Sequence, residues 1–137
     1  MNFTHILFAT LGAAVAYFAY GFIMFAALPG MKSEFEKYPN VYRPKDEMMK
    51  IMPFGMIAIL ISILAVAILH AKIHPLGGDV LSGLKLGALI GIFSVCNFVI
   101  HNHVNLRIGV KLTVYQALAY FIQWLIVGAT IALIYKP

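Results

Sequence analysis

A chain of 137 residues that is 62% hydrophobic, 11% charged and formally +5 has room for one small domain, and it excludes an ordinary soluble globule, where about a quarter of residues are charged. The basic residues flank apolar stretches, so anionic lipid and membrane topology explain them better than nucleic acid does. The lone Cys96 lies inside such a stretch; it excludes an intrachain disulfide and CxxC redox chemistry and reads as a small buried hydrophobe.

Four apolar stretches centre on Ile6–Leu28, Ile51–Leu69, Leu86–Ile100 and Leu112–Tyr135, and every Asp and Glu lies outside them. A hydrocarbon core of about 30 Å takes roughly 20 helical residues at about 1.5 Å each. Backbone groups inside it must bond within their own segment, which makes each stretch a helix. The expectation is all-α: one integral membrane domain over 1–137, a four-transmembrane-helix antiparallel bundle with spans at about 5–28, 50–71, 80–104 and 112–135.

Span one follows a short head ending at His5 and stops at Leu28-Pro29-Gly30. No Lys or Arg precedes it, which favours a retained span over a signal peptide. Gly12, Ala16 and Ala19 form a small-residue side for a neighbouring helix. The polar stretch Met31–Lys50, with Phe35, Tyr38 and Tyr42 among its charges, reads as a loop in the headgroup layer broken by Pro39 and Pro44. Pro44 followed by Asp46 and Glu47 suits the first turn of span two, with a bend near Pro53. Its methionines Met48, Met49, Met52 and Met56 read as gap-fillers.

Asp79 is the expected N-cap of span three. Gly83, Gly87 and Gly91 recur there every four residues, about 40° apart, a ridge for close helix contact in lipid. Lys85, the only charge within a span, can snorkel to the nearer surface. Span four carries a stripe of Gln116, Tyr120 and Gln123, which can line a cavity, meet a quinone or, as such residues more often do, bond to a neighbouring helix, with Ser94 and Asn97 as natural partners. Seven Lys and Arg lie on the side of loops one and three and three on the other, so the positive-inside rule places those loops in the cytoplasm and both termini outside.

His70 and His74 stand at i and i+4, the spacing at which two imidazoles share a metal, and His5 begins span one on the same membrane side. No carboxylate or Cys accompanies them, so the expected state is a pair of interfacial imidazoles with no tight metal. His101, with Asn97 one turn earlier, is the candidate haem or pigment ligand; the commoner role is hydrogen bonding at a helix C-terminus. His103 lies about 200° away from His101 and cannot share its ion. No acid is buried for a proton or cation relay, and no nucleophile stands beside a base, so nothing marks an enzyme or an ion-coupled transporter.

The long basic loop after span one, the Asn-bearing end of span three and the stretch Trp124…Gly128 in span four resemble several uncharacterised families of small four-span bacterial membrane proteins. That resemblance implies a bacterial inner-membrane location and no particular activity. Small multidrug exporters carry a glutamate in span one, and vitamin K epoxide reductase-like enzymes carry paired cysteines; both features are missing here. The Arg- and Glu-bearing helix motif of the membrane glutathione transferases is missing as well. The function expected is a structural or accessory subunit of a larger membrane complex, respiratory or photosynthetic, with lipids and other subunits or itself as partners and no nucleic acid. The alternatives are a haem-, metal-, pigment- or quinone-binding membrane protein and a small transporter.

Overall fold

The structure, a computed structural model, describes residues 2–137 and is 83% helix with no strand among those residues. Four of its helical stretches are long and apolar enough to cross a membrane. Helix α1 (Phe3–Gly21) starts at Asn2, whose side chain accepts from the N–H groups of Thr4 and His5, and continues into a π-helical turn at Phe22–Ala27. Leu28 is extended and ends the span where expected, yet Pro29 opens a further helix, α2 (Pro29–Glu36). Proline suits a first helical position because the missing N–H would have been unsatisfied there anyway. The stretch expected to be a loop in the headgroup layer is therefore partly helical, with Met31 and Glu34 turned into the protein.

Helix α3 (Lys45–Ile73) begins after Pro44 with Asp46 and Glu47 in its first turn and runs on through Pro53. Helix α4 (Val80–Ser94) is capped by Asp79, which accepts from Ser82 N–H at 2.8 Å; those bonds hold its carboxyl below the usual carboxylate range. A second π-helical turn (Val95–Ile100) leads into the short α5 (His101–Asn105), and α6 (Val110–Ile134) completes the chain.

Helix α6 is the centre of the bundle, with α4 along one flank and α1 along the other; α3 packs chiefly on α1 and also touches α6. The buried face of α1 is Ile6, Ala9, Thr10, Ala13, Ala14 and Tyr17. Gly12 meets the Ile134 side chain, whereas Ala19 is exposed, so the predicted small-residue side is rotated from the real one. On α4 the three glycines face α6. A Cβ at Gly83 would lie 2.6 Å from Ala132 Cβ and against the Gly128 carbonyl, and one at Gly87 would meet the backbone of Trp124 and Leu125. One core, from Ile6 to Tyr135, fills the end that holds the chain termini; a smaller one, around Met31, Ile108, Leu112 and Ala119, lies under α2 at the other end. Residues 45–58 of α3 are exposed on every side. Met48, Met49, Met52 and Met56 therefore fill no gap within the chain, and Cys96 is exposed rather than buried.

Candidate functional site

At the terminal end of the bundle, α3 buries His70 completely, and neither ring nitrogen makes a hydrogen bond within the described residues. The His74 ring lies 5.1 Å away, as i and i+4 spacing requires, and the Tyr135 ring 6.0 Å away. The Tyr135 hydroxyl is likewise buried without a partner. Lys136 closes this corner by donating from Nζ to the Gly78 carbonyl at 2.9 Å. His5 sits in the first turn of α1 and is not gathered with the pair: among the described residues no three His, Cys, Asp or Glu side chains come together as a metal-holding group. Two imidazoles and a phenol beside an ammonium supply hydrogen-bonding groups but no negative charge.

At the other end, Asn97 and His101 are both exposed, one within the π-helical turn and one at the start of α5. The backbone carbonyl of His101 accepts from Asn105 Nδ2 at 3.0 Å, while His103 meets Thr113 Oγ1 at 2.8 Å across to α6. The pair does not meet the polar stripe of α6. Gln116 and Gln123 are buried, but Gln116 Nε2 donates to the Tyr42 hydroxyl at 3.4 Å and Gln123 Nε2 to the Tyr17 carbonyl at 2.9 Å. Tyr120 packs its ring against Phe25 and Phe98. The expected bonds to Ser94 and Asn97 fail for a geometric reason. Asn97 lies six residues beyond Gly91, more than half a turn further around the helix even through the π-helical turn, so a ridge facing α6 turns Asn97 away from it.

Sequence reasoning passed over Glu34. Its side chain is 4% exposed and is held by Lys37 on its own helix and by Lys111 of α6, the latter at 2.9 Å. The hydrogen bond from Lys37, reinforced by that from Lys111, keeps its carboxyl below the usual carboxylate range. Tyr38 ties the same layer down, its hydroxyl accepting from Gly109 N–H at 2.8 Å, and burial pushes the Tyr42 hydroxyl above the usual phenol range. The available signal was an acid and a lysine at i and i+3 beside Met31 and Phe35, an amphipathic turn.

No family model, curated protein or solved structure matches this chain. What the fold itself supports is a small integral membrane protein with four apolar helices.

Proposed function

We propose that the chain is a structural or accessory subunit that docks onto another membrane protein through the loop-one and loop-three end of its bundle. The observation that carries this is Asn97. The stretch Val80–Asn105 is 26 residues, about 39 Å long, and Asn97 lies roughly 7 Å past its midpoint, inside a hydrocarbon half-thickness of about 15 Å. There its amide is exposed and bonds to no other described residue. A polar group left unpaired in hydrocarbon costs several kcal/mol, whereas Asn bonded across to another helix is a recurrent membrane contact. His101, one turn on along the same face, offers a second bonding group.

In this reading the protein sits in a bacterial inner membrane with loops one and three in the cytoplasm, as the seven-to-three Lys and Arg asymmetry requires. The test is the size of the native assembly, solubilised mildly, with Asn97 or with Asn97→Leu. We expect the parent chain in a particle much larger than a monomer and the variant released from it, with unchanged thermal unfolding of the isolated chain. A monomeric parent, or a variant that stays assembled, overturns the proposal. A second reading, binding of a small polar ligand, draws on the unpartnered His70 ring and Tyr135 hydroxyl; absorption spectra and elemental analysis of the purified protein test it.

A further inference from the structure

Two apolar hollows open side by side on α6. One, about 240 Å³, lies between the π-helical turn of α1, α2 and α6 and is lined by Met24, Leu28, Gly30, Met31, Tyr115 and Leu118. The other, about 250 Å³, lies between the π-helical turn after α4 and α6, and Leu118 lines it too. Each is below the range of about 300–1,000 Å³ typical of pockets that enclose a whole small molecule. Both adjoin side chains on the lipid-facing surface, since Leu28, Leu118 and Ile92 are exposed. Both are lined by apolar side chains and share Leu118, so a flexible hydrocarbon chain in each would straddle that residue.

Charge stands at the mouth of the first hollow. Tyr115 lies one turn from Lys111, whose ammonium is 5.6 Å from the Tyr115 ring centroid. Lys111 and Lys37 share the single carboxylate of Glu34, so the cluster keeps a net positive charge, and both lysine side chains remain more than half exposed. Two ammoniums on one acid leave N–H donors for an anion in the headgroup layer.

We propose that these two hollows and the Lys37–Lys111 pair seat one anionic diacyl phospholipid, its acyl chains on either side of Leu118 and its phosphate on the two ammoniums. This site does not rest on the docking reading, although its second hollow shares the π-helical turn Val95–Ile100 with Asn97. Gly30 is the probe of shape, because it lines the first hollow and a Cβ there meets nothing within 4 Å. Lys37→Gln probes charge while leaving the Lys111–Glu34 bond in place. The full chain is reconstituted in nanodiscs of equal phosphatidylglycerol and phosphatidylcholine, released, and its retained lipid identified by native mass spectrometry. One retained phosphatidylglycerol, enriched about fivefold over phosphatidylcholine as roughly 1 kcal/mol dictates, is the expected result. Lys37→Gln brings the ratio close to one, and Gly30→Phe loses the retained lipid while its helicity is unchanged. Equal retention of both lipids by the parent chain, a ratio unmoved by Lys37→Gln, or a folded Gly30→Phe variant that still holds phosphatidylglycerol overturns the site.

Discussion

The same substitution, glycine to alanine, should have opposite consequences in α4 and α3. At Gly87 the new methyl would lie against the Trp124 carbonyl oxygen and 3.0 Å from Leu125 Cα, atoms of backbone that no rotamer change can move aside. Ordinary contact between such atoms is at about 3.5–4.0 Å, so α4 and α6 must part by roughly 1 Å along the ridge. Gly128 faces the same contact from the other side, where its own added Cβ would meet the Gly83 carbonyl and, at 2.9 Å, Gly87 Cα. Overpacking of this kind costs about 1–3 kcal/mol. At Gly55, by contrast, an added Cβ meets nothing within 4 Å. Alanine there gains only helix propensity, at most about 1 kcal/mol. Reversible unfolding in a denaturing detergent, followed by helical circular dichroism, should therefore show Gly87→Ala destabilised and Gly55→Ala neutral or slightly stabilised. Equal stabilities would refute the claim that the ridge is a backbone contact, and Gly87→Leu should be worse than Gly87→Ala if the claim is right.

The polar groups give further expectations. His70→Leu should be neutral or stabilising, because it removes two buried nitrogens with no partner in the chain; a loss above about 2 kcal/mol on chemical unfolding would reveal an unseen partner for the ring. Gln123→Leu should cost no more than about 1 kcal/mol by the same assay, since membrane hydrogen bonds average about 0.6 kcal/mol and the Gln123 Oε1 has no partner to lose. The Glu34 carboxyl has a lowered value in the fold, so its contribution is present above the ordinary carboxylate range and is lost as pH falls through the folded value. Fluorescence of a probe at residue 33 should report α2 loosening in acid but not at neutral pH, and Glu34→Gln should abolish that step. Cysteine labelling at residue 40 should succeed only from the cytoplasmic side; labelling from outside would invert the topology.

The spans were legible because hydrocarbon leaves the backbone so few choices, and the Asp79 cap and the four-residue glycine period were legible because each is a local pattern with one mechanical use. Helix α2 was hidden by its own first residues: Pro29 and Gly30 stop one helix and permit the next, and only the buried side of Met31 and Glu34 decides between them. The two π-helical turns carry no residue signature at all. The partners of the α6 stripe were missed for two reasons. Gln123 bonds to a backbone carbonyl on α1, an acceptor every residue possesses, and Gly21 beside it leaves the space, its added Cβ lying only 2.9 Å from Gln123 Nε2. The direction of Asn97, on the other hand, was readable from its distance to Gly91, and the error was to let polar character outweigh helical geometry. The His70 and His74 pairing followed from spacing alone, whereas Tyr135, more than sixty residues on, could join them only through the fold.

The unequal packing of the two ends bears on function. At the terminal end, small residues on α1 and glycines on α4 let those two helices close on α6, and α3 contributes Ile63, Val66, Ala67 and Ala71 to the same core. Towards the loop-one end, α3 leaves the others. Its residues 45–58 touch no neighbour closely enough to be buried, although Phe54, Ile51 and Ile57 are as apolar as the residues that pack below. Lipid can cover such a surface without cost, because hydrocarbon solvates these side chains as well as another helix does. Asn97 and His101 differ, since hydrocarbon tails offer no hydrogen-bonding group to an amide or an imidazole. They stand at the same end as the splayed half of α3, where the chain spends little of its own surface on itself. A partner helix that satisfied Asn97 would thus meet a region with room to receive it, and the tight terminal end would hold the four helices in register while it did so.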